Sequence, residues 1–235
     1  MGIALQSQTT FGVGIYSFVD AARFIGSESR DLRRWMLGHT TMRDGEKHVY
    51  APLWTSQLAA TDIDGVGFRD LIELRFVRTF IDSGVPLNLI RRTIEELRER
   101  LDNDYPFTSK AFKTDGKRIF MEMLDHNGDQ ALIDVVKRQS VIGKVIGPSL
   151  REGIELNVDD EAMRWYPVPR SKSIVFDPQR SFGQPILSES GVPTIAIAEA
   201  LKAEGGDVKR VAGLYEVSSA DVRKAAAYEA QAPVA

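Results

Sequence analysis

Two short amphipathic segments, each ended by a glycine, lie close together near the start of this 235-residue chain. In the first segment Ser17 is a predicted N-cap, and apolar residues recur at helical spacing up to Gly26. In the second, Ser27 or Ser29 is the predicted N-cap and Gly38 ends the helix. Two short helices joined by a tight Gly-Ser turn form a helix-turn-helix layout, a pattern that other small helical hairpins share.

The helical pattern breaks after residue 38. Residues 43–46 read as a turn and residues 47–50 alternate like a strand, which predicts a short hairpin. A DNA-binding wing occupies this place in winged-helix proteins, and an ordinary surface loop is the alternative. Helical spacing returns over residues 68–100, with a break at residues 82–84 and a new helix starting at Pro86.

Glycine-rich turns mark the middle of the chain. Asp115-Gly116 lies between strand-like flanks, and residues 119–124 and 131–136 are predicted to pair as a second hairpin. These turns favour a small antiparallel sheet. Towards the C-terminus, two extended segments precede three short predicted helices, of which the last two are joined by another helix-turn-helix turn; the segments and helices lie at residues 173–178, 182–186, 193–203, 208–215 and 220–230.

The elements together predict an α+β fold that is mainly helical. It comprises an N-terminal winged helix-turn-helix, a central small antiparallel β-sheet and a C-terminal trihelical helix-turn-helix domain. The predicted boundaries are a flexible start at residues 1–15, a DNA-binding domain at 16–105, a β-rich connector at 106–165 and the trihelical domain at 166–232.

Composition narrows the class of protein. The chain has no cysteine, which excludes disulfides, thiolate metal sites and cysteine nucleophiles. It lacks a signal-peptide pattern and an apolar run of the roughly 20 residues that a membrane span needs, so we expect a cytoplasmic protein. The net charge is only −3, so nucleic-acid binding, if present, depends on how the charges are distributed.

The sequence predicts no enzyme, no cofactor and no metal site. The histidines His39, His48 and His126 fall in separate loops without ligand spacing. Residues 125–129 resemble a calcium loop only superficially, because predicted strands flank them and no glutamate follows at the required place. The chain also lacks a glycine-rich phosphate loop and a nucleophile elbow.

Basic and polar residues in the two helix-turn-helix regions are the candidate DNA contacts. Arg30, Arg33 and Arg34 are expected on the exposed face of the second helix, where side chains reach phosphates and base edges in the major groove. On the predicted wing the candidates are Arg43, Lys47, His48 and Tyr50. At the start of the last helix they are Arg223 and Lys224, although that module has dimerisation or protein binding as its alternative role. A solvated charged face is the alternative for the arginines of the second helix.

Two stretches resemble known families. Residues 16–35, with Leu32, Arg33 and Trp35, followed by residues 70–91, resemble the winged-helix domain of MerR-type regulators over roughly residues 16–100. The C-terminal residues 174–178, 182–186, 192–196 and 208–228 resemble a small trihelical domain of predicted antitoxins, often encoded beside PIN-type ribonuclease toxins.

The combination of both regions resembles the large VapB-like antitoxins. That resemblance implies a homodimeric autorepressor that binds operator DNA and neutralises a PIN-type ribonuclease toxin. A stand-alone MerR-like transcriptional regulator and a protein-interaction scaffold are the alternatives.

Overall fold

The computed structural model describes residues 12–109, 112, 122, 152–159, 161–168 and 170–231. Within them lie helices α1 (Phe18–Ile25), α2 (Ser29–Leu37), α3 (Phe68–Asp82), α4 (Leu87–Leu101), α5 (Thr194–Ala203), α6 (Val208–Leu214) and α7 (Ser219–Gln231). The strands are β1 (Ile15–Tyr16), β2 (His39–Arg43), β3 (Glu46–Tyr50), β4 (Val66–Gly67), β5 (Ile154–Leu156), β6 (Ala162–Trp165), β7 (Ile174–Phe176) and β8 (Pro185–Leu187). Helices mixed with small sheets agree with the predicted α+β class.

Helices α1 and α2 form where the sequence predicts them, with one difference at a cap. The Ser17 hydroxyl accepts a hydrogen bond from the Asp20 amide, as predicted. The N-cap of α2 is Glu28 and not a serine, because its carbonyl accepts the first helical hydrogen bonds. Ser27 still belongs to the end of α1, since its amide donates to the Ala22 carbonyl.

A two-stranded hairpin follows α2. Strands β2 and β3 pair without a slip around an Asp44-Gly45 turn. The hairpin begins at His39, directly after Gly38, and so extends further back than the predicted strand at residues 47–50.

The third and fourth helices follow their predicted boundaries. Helix α3 ends at Asp82 with Ser83 as its C-cap, and Pro86 is the N-cap of α4. Ahead of α3, β1 pairs with β4, so Ile15 from the predicted flexible start lies in a strand; residues 1–11 lie outside the described residues.

Strands β5 to β8 form an antiparallel sheet in sequential order. The pair β6–β7 joins strands on both sides of residue 166.

Most of the two hairpins predicted before residue 137 lie outside the described residues. Phe112 and Glu122, predicted as extended, are both helical. At Phe112 the reason is local, because the Ser109 hydroxyl accepts a hydrogen bond from the Phe112 amide, which is N-cap geometry.

The core joins the N-terminal helices to the sheet through a chain of aromatic rings. The Phe24 ring lies 5.8 Å from that of Tyr16 and 4.9 Å from that of Phe176, centroid to centroid. Phe176 in turn stacks on Trp165 at 4.7 Å. Strand β7 is therefore packed directly against α1, and the helix-turn-helix rests on the sheet.

One hydrogen bond fixes the same junction across 167 residues of sequence. The Tyr16 hydroxyl donates to the Gly183 carbonyl at 2.8 Å, in a buried setting. Gly183 has a φ of +83°, and a Cβ there would lie 2.6 Å from the Tyr16 oxygen. Only glycine satisfies both the backbone conformation and the close approach.

Helices α5, α6 and α7 enclose a smaller core of their own, made by Leu187, Ile197, Val211, Ala212, Val222 and Ala225. The end of α7 reaches back to α1, where Arg23 pairs with Glu229 at 2.8 Å. The Glu229 carboxylate also accepts a hydrogen bond from the buried Thr194 hydroxyl. The last helix is thus attached to the first by a nearly buried charge pair.

Gly183→Ala should lower the free energy of unfolding by roughly 2–4 kcal/mol, since it adds both backbone strain and overlap with Tyr16. Gly213→Ala is the matched control. Gly213 is an exposed residue of α6 with open space around it, so alanine there should stabilise the helix by roughly 0.5–1 kcal/mol. Urea denaturation of both variants measures the difference, and equal stabilities would contradict this account of Gly183.

Candidate nucleic-acid interface

Helix α2 divides cleanly into a buried and an exposed face. Leu32, Trp35 and Met36 are buried in the core. The opposite side presents a stripe with spacings of three and four residues, made by Arg30, Arg33, Arg34 and Leu37. The sequence predicts this exposure of the three arginines, and the structure places them on one helix face. We call the row formed by these three arginines and Leu37 the arginine stripe.

The hairpin stands directly on the end of α2. Gly38 joins the two with φ +72° and ψ 179°, a combination that is essentially restricted to glycine. A Cβ at this position would lie 2.4 Å from the Tyr50 carbonyl oxygen, so the base of the hairpin packs against the helix end. The Leu53 amide donates to the Trp35 carbonyl at 2.8 Å and fixes the chain that leaves the hairpin.

Both faces of the hairpin are accessible. Every residue of β3 is exposed, including Lys47, His48 and Tyr50. Register places His48 and Tyr50 on one face and Lys47 on the other, beside Met42 and Val49. Arg43 is the last residue of β2, opposite Glu46.

The structure brings Arg34 together with the hairpin. Its Nη2 lies 3.1 Å from Nε2 of His39, and the His39 ring stacks on that of Tyr50 at 4.7 Å. His39 is a residue that the sequence analysis did not place at the interface. The available indication was the pair of β-branched residues Thr40 and Thr41 close behind Gly38, which favours a strand that starts beside the last turn of α2.

Arg33 is held more firmly than its neighbours. Its Nη1 and Nη2 donate to the two carboxylate oxygens of Asp64, at 3.2 and 2.9 Å. Its guanidinium also lies over the Phe18 ring, 4.3 Å from the centroid. Arg30 has one exposed partner, Glu28, at 3.1 Å. No local sequence pattern indicates the Asp64 pairing, which spans 31 positions.

The segment that carries Asp64 is organised by a buried carboxylate. Asp70, on the first turn of α3, accepts hydrogen bonds from the Trp54 indole, the Ser56 hydroxyl and the amides of Gln57 and Gly67. Burial raises the pKa of Asp70, and these four donors act in the opposite direction. Both ends of the segment 54–67 are therefore tied to one side chain.

The C-terminal candidates lie in a different electrostatic setting. Arg223 donates to the Ser219 carbonyl and Lys224 lies 3.3 Å from Asp221, so these contacts stay within α7. Lys224 also borders an open cavity of about 380 Å³ whose charged lining consists of Lys172, Glu189, Glu216, Asp221 and Lys224. The surrounding carboxylates make this end of α7 less attractive to phosphates than the arginine stripe.

The described ranges contain no group of three or more histidine, aspartate or glutamate side chains arranged to hold a metal ion. No helix among them is both long and apolar enough to cross a bilayer.

Comparison with known proteins agrees with this location. Residues 14–94 match the model of a family described as "Putative DNA-binding HTH domain", a range that runs from β1 through α3 and into the first half of α4. A protein of Mycobacterium tuberculosis strain H37Rv named "Putative antitoxin VapB45" is 24% identical over 230 residues, which cover 94% of this chain and 95% of that protein.

A solved structure resembles the whole fold. The crystal structure of Rv2018 from Mycobacterium tuberculosis aligns with a TM-score of 0.67 at 21% identity. The alignment covers 92% of this chain and 98% of that one. At this identity the likeness establishes a shared fold.

Asp70→Ala should lower the free energy of unfolding by roughly 3–5 kcal/mol, because several buried donors lose their acceptor at once. Asp82→Ala is the matched control on the same helix. Asp82 is exposed and pairs with Arg78 among the residues that the structure describes, so its loss should cost a few tenths of a kcal/mol, about the worth of a surface pair. Chemical denaturation measures both, and a small effect at Asp70 would contradict its organising role.

Proposed function

We propose that this chain is a DNA-binding antitoxin and not an enzyme. In this proposal it represses its own operator and holds a PIN-type ribonuclease toxin inactive. The observation that supports it most is the arginine stripe, which lies on the exposed face of α2 within the segment that matches a DNA-binding helix-turn-helix family. We further propose that the region functions as a MerR-type winged helix, with α2 as the recognition helix and the β2–β3 hairpin as the wing.

The chemistry of the stripe suits the major groove. An arginine fork donates two hydrogen bonds to guanine O6 and N7 or to a phosphate, and a helix fits the width of the groove. Buried Leu32, Trp35 and Met36 anchor the opposite face, so the helix can present its arginines without losing its place in the core. Among the described residues Arg30 pairs with the exposed Glu28 and Arg34 contacts the half-buried His39 at the surface, so solvent or phosphate can replace either contact.

The hairpin suits contact with the DNA backbone. Lys47 and His48 lie on opposite faces of an exposed ribbon, and Tyr50 and Arg43 complete the proposed contacts. Since the hairpin follows α2 directly at Gly38 and packs against the helix end there, helix and hairpin approach DNA as one unit. Phosphate contacts of this kind fix register and do not read sequence.

The antitoxin role is supported by the relative named "Putative antitoxin VapB45", which matches nearly the full length of this chain. We propose that the regions 16–105, 106–165 and 166–232 act as the DNA-binding domain, connector and trihelical antitoxin-like domain. A homodimer is expected because paired half-sites lie about 34 Å apart or a multiple of that. The acidic setting of Lys224 favours protein binding over DNA binding at the C-terminal module.

Replacing Arg33 and Arg34 together by alanine should weaken binding to the DNA upstream of the chain's own gene by roughly 100-fold or more, because two fork contacts are lost. The variant should also show a smaller salt dependence of binding. Arg78→Ala with Arg170→Ala removes the same charge from outside the stripe and hairpin, and should change affinity only slightly. Equal losses in the two variants would contradict the recognition-helix assignment.

A tagged chain recovered from its native host should retain a small PIN-type ribonuclease after nuclease treatment. The Arg33→Ala, Arg34→Ala variant should retain it equally well, since toxin and DNA would occupy different surfaces. Recovery of promoter DNA without such a ribonuclease would favour a stand-alone regulator. Recovery of other proteins without DNA would favour a protein-interaction scaffold.

A further inference from the structure

Asp64 is the feature of the proposed DNA interface that a simple phosphate-binding surface does not explain. Its carboxylate side chain is 64% exposed and occupies both terminal nitrogens of Arg33, whose side chain is 47% exposed. A negative charge beside the stripe repels DNA of any sequence. Its presence there is useful only if it improves something other than overall affinity.

The contacts of Asp64 indicate that it improves the positioning of the Arg33 side chain. A guanidinium has five N–H donors, and the bond pair to Asp64 uses two of them. The Nε–H and the second N–H of each terminal nitrogen remain for a phosphate or a base edge. The same guanidinium lies over the ring of Phe18, which is itself buried in the core. Arg33 is therefore held in position while keeping donors free.

The loop that carries Asp64 is itself fixed to the fold. Asp70 ties residues 54–57 and 67 to α3, and Val66, two residues after Asp64, pairs with Tyr16. Within the segment, the Thr61 hydroxyl donates to the Leu58 carbonyl and accepts from the Ile63 amide. Asp64 thus projects from an internally hydrogen-bonded loop, and its position relative to Phe18 is set by the core.

We infer that Asp64 is a positioning residue that gives the recognition helix part of its sequence selectivity. By fixing the plane of the Arg33 guanidinium, it allows that side chain to satisfy one base edge well and the wrong base poorly. Arg30 and Arg34 are not held between a carboxylate and an aromatic ring in this way, and they contribute mainly affinity. This inference rests on the proposed DNA-binding function of α2.

The test compares Asp64→Ala with Asp62→Ala, which removes the same charge from an exposed position of the same loop. A randomised duplex library first provides the sequence that the wild-type chain prefers. Dissociation constants are then measured for that duplex and for a scrambled duplex of equal composition. Asp62→Ala should tighten both slightly and leave their ratio unchanged. Asp64→Ala should reduce the ratio by about 5-fold or more, in the range of one base contact.

A second arm isolates the coupling to Arg33. In an Arg33→Ala background, Asp64→Ala should no longer change the ratio, because the positioned group is absent. NMR relaxation of the Arg33 Nε–H should report an ordered side chain in the wild type and in Asp62→Ala, and a mobile one in Asp64→Ala. This measurement needs no DNA.

Each result bears on the inference. An unchanged specific-to-scrambled ratio in Asp64→Ala, with normal wild-type binding, overturns the role of Asp64 and leaves the proposed function standing. A mobile Arg33 in the wild type also overturns it. If the wild type binds no duplex from the library, the proposed function fails and the role of Asp64 falls with it.

Discussion

A single buried carboxylate organises the surface on which the proposed function depends. Asp70 accepts hydrogen bonds from Trp54, Ser56, Gln57 and Gly67, which together bracket the loop between the hairpin and α3. A buried polar group with this many donors favours one arrangement of the chain, because any other leaves donors unpaired at a cost of about 1–3 kcal/mol each. The loop held in this way fixes both the exit from the hairpin and the position of Asp64.

The ends of the chain are joined by contacts of a different kind. Tyr16 reaches Gly183 by a hydrogen bond, Phe24 packs on Phe176, and Arg23 pairs with the nearly buried Glu229. Removing either partner of the Arg23–Glu229 pair would leave an uncompensated charge, which disfavours arrangements in which α7 does not meet α1. The Arg23–Glu229 pair therefore places the last helix in direct contact with the first helix of the helix-turn-helix.

The sequence was sufficient where structure is decided locally. Gly26 and Gly38 end helices, Ser17 caps one, and Asp44-Gly45 turns a hairpin, each through the preferences of a few adjacent residues. The sequence predicts a strand at Phe112 because its neighbours alternate like a strand, whereas the Ser109 hydroxyl caps a helical turn there. It predicts a serine as the N-cap of α2 because Ser27 and Ser29 flank Glu28, which is the actual N-cap. The Asp64–Arg33 pair and the Tyr16–Gly183 bond were beyond reach, since they join residues 31 and 167 positions apart.

The three arginines of the stripe differ in how much freedom the fold leaves them, although the sequence presents them alike. Arg30 pairs with the solvent-exposed Glu28 at the N-cap of the same helix. Arg34 contacts His39, whose ring stacks on that of Tyr50 at the base of the hairpin. Arg33 alone of the three is held by both a carboxylate and an aromatic face. A side chain ordered before binding loses less rotamer freedom on contact and tolerates fewer geometries. Such a division suits a surface in which flexible arginines hold the phosphates and one fixed arginine reads the sequence.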